Sequence, residues 1–289
     1  MKEKASGHKA SPLPWHTAFC QAIQVELYDY RDSLEYTSEY QLTAEPLRID
    51  LLIIKKPKGL SIDKNIARIF RNVNLIEYKS PDDYLSVNDF MKVCAYANLY
   101  AAITPKADLA DLTITFIESR RPRKLLRYLE KERGYAISET APGIYQISGD
   151  YIPIQIIVSK RLAESENLWL KSLAKDLEVE SANAILEARG KSAGKAPMGA
   201  YLDLLARANP DIFLEVQTMA AKTRPRRTFE EVFTEAGIIP EWISRGRVEG
   251  EMRGKMEIAR NLLAKGMPIG EIAQVTALPP EEIQALCSS

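Results

Sequence analysis

Histidine and cysteine are scarce in this chain. Its 289 residues contain two histidines and three cysteines. Cys20, Cys94 and Cys287 are far apart and form no CxxC, which argues against a disulfide scaffold or a zinc cluster and for a reducing, cytoplasmic setting. His8 lies in a polar tail and His16 at a helix start, so histidine-based zinc or general-base chemistry has little material. No apolar run approaches the ~18 residues that span a membrane. The first residues, Met1 to Ser11, lack the hydrophobic stretch of a secretory signal. A GxxxxGK(S/T) loop is also missing, which leaves an ATP-driven motor without its phosphate cradle.

Excess charge is lacking too. Lys plus Arg is 39 and Asp plus Glu is 39, a net charge of zero. A nucleic-acid partner therefore has to be argued from local patches. Two stand out: Arg120-Arg121-Pro122-Arg123-Lys124 with Arg127 nearby, and Lys222-Thr223-Arg224-Pro225-Arg226-Arg227. With 46% hydrophobic and 27% charged residues, the composition is that of a globular chain with ample core.

Residues 1–14 read as a loose tail. Apolar residues then recur at helical spacing from Trp15 to about Tyr30. Strand patterns follow at Leu47–Ile54, Asn74–Lys79, Leu112–Ile117 and Ile152–Val158. Helices are predicted between them at Ile62–Arg71, Val87–Ala102 and Arg123–Arg133, with Ser86 and Asp89 as an N-cap pair for the second. Tyr135–Ile147 reads as a hairpin turning at Pro142-Gly143. This order predicts an α/β domain over 15–160, a mixed central sheet flanked by helices. A helical segment is expected over 161–239, with a loop at 190–197. Over 240–289 a helix carrying Gly246, Gly250 and Gly254 should lead into a small helix-turn-helix-like module. One glycine per turn weakens a lone helix by roughly 1 kcal/mol each. It also leaves a smooth face, readable as a self-association surface or as a frayed connector.

The chemistry-bearing pattern lies in two strands. Asp50 is inserted in an otherwise apolar strand, sharing a face with Leu52 and Ile54 by alternation. A buried carboxylate there costs several kcal/mol unless it is paired or bound to a metal. Glu77 and Lys79 are two residues apart in the next strand and project to one side. Carboxylates beside an ammonium can hold Mg²⁺ and orient a water. Glu26 falls inside the apolar stripe of the first helix with Trp15, Phe19, Ala22 and Ile23, and an acid there needs a partner within the fold. The same residues also suit structural ion pairs. Two look-alikes fail: no ExK strand follows Pro81-Asp82, and Pro210-Asp211 with Glu215-Val216-Gln217 leaves no room for two strands.

The run Leu47-Arg48-Ile49-Asp50-Leu51-Leu52-Ile53-Ile54, followed by Asn74-Leu75-Ile76-Glu77-Tyr78-Lys79-Ser80-Pro81-Asp82-Asp83, resembles the PD-(D/E)XK nuclease superfamily. It is similar in particular to the bacterial recombination-promoting nuclease, transposase-like branch. Ile258-Ala259-Arg260-Asn261-Leu262-Leu263 and Gly266-Met267-Pro268-Ile269 also resemble tails found in that branch. The resemblance implies a restriction-endonuclease-like core and hydrolysis of DNA phosphodiesters with Mg²⁺, or Mn²⁺. By that likeness Asp50, Glu77 and Glu26 would serve the metal shell, and Lys79 would position the attacking water. Ile49 stands where the name-giving proline would be. On the following helix Lys92 and Tyr96 share a face, as do a polar residue and a tyrosine in some members. The alternative expectation is a nuclease-like fold without catalysis, binding DNA or forming a homo-oligomer through its C-terminal helices.

Overall fold

The computed structural model describes residues 13–38, 51–105, 107–191, 198–223 and 229–287. Asp50, His8 and most of the second basic run lie outside them. The chain divides into two compact units, Met1–Val232 and Phe233–Ser289.

The first unit is built on a seven-stranded mixed sheet of order β1-β2-β3-β4-β7-β6-β5. Its strands are β1 (Glu35–Thr37), β2 (Leu51–Lys55), β3 (Val73–Tyr78), β4 (Leu112–Glu118), β5 (Ala136–Ala141), β6 (Ile144–Ser148) and β7 (Ile154–Val158). The three central strands β3, β4 and β7 are parallel, and the outer pairings are antiparallel. All seven residues of β4 and all five of β7 are buried, as expected for parallel strands covered on both faces. This is the α/β architecture that the alternation of patterns predicts.

Helices α2 (Val87–Ile103) and α3 (Arg123–Lys131) cover one face. Phe90, Val93, Tyr96, Leu125 and Leu129 pack there on Ile53, Leu75, Ile114, Phe116 and Ile156. Helix α1 (Trp15–Glu26) covers the other face, where Phe19 stacks on Tyr78 with ring centroids 4.4 Å apart. Behind α1 come α4 (Glu164–Lys171), α5 (Val179–Lys191), α6 (Gly199–Ala208) and α7 (Pro210–Thr223). Gln21 of α1 accepts from the Tyr201 amide of α6 at 2.8 Å. Residues 161–232 thus belong to the same compact unit as the sheet. The look-alike Asp211 and Glu215 share the single helix α7.

The helix predicted over Ile62–Arg71 is not formed. Only a 3-10 turn at Asn65–Ala67 occurs. The apolar spacing is real, since Ile62, Ile66, Ala67 and Phe70 are buried. The backbone bonds, however, go to sheet side chains. Gln155 of β7 donates to the Ile66 carbonyl at 2.7 Å. Asn74 of β3 bonds both the amide and the carbonyl of Arg71, at 2.8 Å each. The predicted cap is present: Ser86 and Asp89 form a reciprocal capping box on α2. Gly143 turns the β5–β6 hairpin with φ 76°, where an added Cβ would meet the Val158 carbonyl oxygen at 2.7 Å.

After α8 (Phe229–Glu235), the helices α9 (Ile238–Ala264), α10 (Ile269–Thr276) and α11 (Pro280–Cys287) of the second unit enclose a small core of Ala259, Ile272, Leu278 and Ile283. Gly246, Gly250 and Gly254 have nothing within 4 Å of an added Cβ. Among the described residues no helix is long and apolar enough to cross a membrane.

Candidate active site

Strand β3 delivers Glu77 and its extension Lys79 to the α2 side of the sheet. Alternation sets Leu75, Glu77 and Lys79 on one face, and the Lys79 amide continues the pairing by donating to the Ile117 carbonyl at 2.8 Å. Glu77 is buried, 6% exposed. The Lys79 ammonium sits 3.1 Å from Glu77 Oε1, 2.9 Å from Asp89 Oδ1 and 3.9 Å from Asp83 Oδ2. Asp89 reaches it from the first turn of α2, oriented by the same capping box that starts the helix. One acid thus serves two ends, closing a helix terminus and clamping the lysine.

The electrostatics follow from this crowding. Burial raises the Glu77 pKa, and the Lys79 charge and hydrogen bond work against that rise. The charge of Lys92 on α2 also opposes it, while burial, with the Glu77 charge, raises the Tyr96 phenol. Lys92 therefore acts on Glu77, and Glu77 in turn on Tyr96. Burial disfavours the Lys79 ammonium, but bonds to Asp89 and Glu77 outweigh burial and hold its pKa above the ordinary value. Asp89 is lowered: burial alone would raise it, and the Ser86 and Lys79 hydrogen bonds prevail.

A second buried acid joins this end of the sheet. Glu118 closes β4 and is 3% exposed. The parallel register sets Glu77 beside Phe116, so Glu118 shares the Glu77 face. Its Oε2 accepts from the Leu85 amide at 3.0 Å. Burial pushes its pKa up to about 7, against the Leu85 hydrogen bond and the Arg120 charge and with the help of Asp83 and Asp89. The apolar pattern ends that strand at Ile117, one residue short of Glu118. The signal was there, as an acid directly continuing an apolar parallel strand.

Glu77 Oε2 and Glu118 Oε1 are both buried without a hydrogen-bond partner. Orphaned carboxylate oxygens are costly, and oxygen donors of this kind suit a hard divalent cation. Among the described residues no group of three or more His, Cys, Asp or Glu converges as a ready-made metal cage. Mg²⁺ needs only one or two carboxylates, with waters and a phosphate completing its shell, so the donor set fits. Strand β2 enters the sheet at Leu51, directly opposite Glu77. Ile53 packs on the α2 face with Leu75; Asp50 itself is not described.

Beside Glu77 and Lys79 opens a pocket of about 300 Å³, closed on its other side by Trp15, His16 and Thr17 at the start of α1. That helix start carries neither a capping side chain nor an acid in its first turn. His16, set aside on sequence grounds, thus lines the same pocket as Lys79.

Glu26 is not brought to this cluster. It is buried at the end of α1, on the opposite side of the sheet from Glu77. Its Oε2 lies 2.6 Å from the Lys64 ammonium and its Oε1 accepts from the Leu170 amide at 3.0 Å. Burial raises its pKa despite Lys64. The apolar stripe correctly demanded a partner for this acid, and the partner is a lysine with a backbone amide of α4 instead of the Glu77 cluster. Compared with family models, curated proteins and solved structures, the chain matches none.

Proposed function

We propose that this chain is a divalent-metal-dependent nuclease that hydrolyses DNA phosphodiesters, as its resemblance to the PD-(D/E)XK superfamily implies. One observation carries the reading. At the end of β3 a lysine is clamped by Glu77 and Asp89, beside a buried carboxylate with one oxygen left free for a cation. Glu77 would hold Mg²⁺ or Mn²⁺, and the resemblance assigns Asp50, just before β2, to the same shell. A bound metal would polarise the scissile phosphate and acidify its water. Lys79 would hold and orient the attacking water and offset charge building on the phosphoryl oxygens. Glu77 and Asp89 keep Lys79 protonated in the resting protein, a state suited to anchoring a phosphate. The recombination-linked role and the cytoplasmic location belong to the same proposal.

The test uses purified protein, supercoiled plasmid and Mg²⁺ or Mn²⁺, with Asp50→Ala and Lys79→Ala alongside. Nicking by the wild type and its loss in both variants is the expected result. An intact plasmid under every divalent metal, or equal cutting by the variants, removes the nuclease reading.

A second reading is favoured by the Lys79 geometry itself. An ammonium already satisfied by two carboxylates is also a structural ion pair, as in a nuclease-like fold that binds DNA without cutting it. In that case the glycine-lined face of α9 would support a homo-oligomer.

A further inference from the structure

We propose that the exposed face of α3 is the surface that carries a DNA backbone to the β3–β4 end of the sheet. The inference rests on the nuclease reading only for the site at which the backbone arrives.

The observation is a cluster of cations on one face of a short helix, with a single acid, Glu130, at its edge. Leu125, Leu126 and Leu129 are buried against the sheet. Arg123, Lys124, Arg127 and Lys131 are exposed. At ~100° per residue these four cations fall in a single arc about 100° wide, opposite the leucines. The helix has no acid in its first turn. Among the described residues, none of the four makes an ion pair, although the neighbouring Lys160 and Arg161 are tied to Asp176 and Glu139. In a chain whose charges cancel to zero, four unpaired cations in one line mark a binding face.

The location supports a linear polyanion. Strands β3 and β4 run parallel and end at the same edge, and ligands of α/β sheets bind beyond the carboxyl ends of the strands. Glu118 ends β4 there, and α3 begins shortly after it. Arg120 lies between the two in sequence, and its charge favours the ionised Glu118 carboxyl. From Arg123 to Lys131 the helix rises about 12 Å, while duplex DNA presents one charge per ~1.7 Å of axis. The arc therefore spans several phosphates. It exposes no large apolar side chain, which a membrane-surface helix would require.

The experiment measures binding apart from cutting. Anisotropy of a labelled duplex is followed in EDTA across a salt series, for wild type and for Arg123→Gln/Lys124→Gln/Arg127→Gln. Each lost phosphate contact removes about 0.9 from the slope of log K against log salt, so a decrease of roughly 2 to 3 is expected. A control, Arg247→Gln/Arg253→Gln/Arg260→Gln on α9, removes the same charge and should keep the wild-type slope. Circular dichroism verifies folding, and the single Arg127→Gln, with a decrease of about 1, decides the matter if the triple variant does not fold. An unchanged slope, an equal loss in the control, or a preference for anionic vesicles over duplex overturns the inference. Loss of binding in the α3 variant with no cutting by wild type in Mg²⁺ would sink the nuclease reading and leave this surface standing. Normal cutting and normal binding by the α3 variant would do the reverse.

Discussion

Two buried acid–lysine pairs lie on opposite faces of one sheet, and they are built differently. On the α1 side, Glu26 has both oxygens engaged, one by Lys64 and one by the Leu170 amide. On the α2 side, Glu77 engages one oxygen with Lys79 and leaves the other buried and bare. A fully satisfied pair is a lock that ties α1 to the segment before β3 and to α4. A pair left half-satisfied in a polar pocket carries a cost that a ligand can relieve. Burial and charge type alone do not separate structure from function here; the unpaired oxygen does.

The largest expected difference is in cleavage. Glu77→Gln should lower metal-dependent plasmid nicking by about 10³-fold, the scale of losing one group that stabilises a transition state. Glu26→Gln should leave it within about threefold, a margin that one tenth-scale loss of 1.4 kcal/mol would already exceed. Equal losses in the two variants would erase the contrast drawn between the faces.

Stability should reverse that ranking. Removing one partner of a buried pair strands the other, at a cost of about 3 kcal/mol for Glu26→Ala, near the lower bound for buried pairs because Lys64 can reach solvent. Glu77→Ala should cost less, because Lys79 keeps Asp89. Urea unfolding of both variants in EDTA measures this, and a larger loss for Glu77→Ala would contradict it.

Glu118 sharpens the comparison through pH. Its folded pKa of about 7 lies above the reference value of 4.5, so the folded protein binds this proton more tightly than the unfolded chain. Stability from this group is therefore present below the reference value and lost as pH rises through the window up to about 7. At roughly 1.4 kcal/mol per pKa unit over the rise from 4.5 to about 7, Glu118→Gln should recover about 3 kcal/mol at pH 8 in EDTA. It should also flatten the decline of stability between pH 5 and 7. A variant no more stable than wild type at pH 8 would mean that this carboxyl is not held protonated.

The smallest effect concerns the cap. Ser86→Ala removes the acceptor for the Asp89 amide and should cost about 1 kcal/mol of stability. Because Asp89 also orients Lys79, nicking should fall at the same time. A stability loss with unchanged nicking would confine Asp89 to capping.

Much of the sheet was legible because its central strands are apolar runs with sharp ends, and α2 and α3 announced themselves by a cap and a leucine stripe. The three-residue β1 has too little pattern to read. The segment around Ile66 shows why a helical period can mislead: its apolar residues are buried as expected, but Gln155 and Asn74, distant in sequence, take the backbone bonds a helix would have kept. Within the site, Glu77 and Lys79 were readable from their two-residue spacing. Lys79's clamp by Asp89 was not, because Asp89 looked like a cap and nothing more.

By itself the sequence determined the class of the fold, the facing of Glu77 with Lys79, and the need of Glu26 for a buried partner. These follow from local periodicity and from the cost of burying charge. Only the tertiary structure decided which partner each acid received, since lysines and amides far along the chain competed for them. It separated Glu26 from Glu77 by the thickness of a sheet, and it brought Glu118 and the α3 cations to the same edge as Lys79.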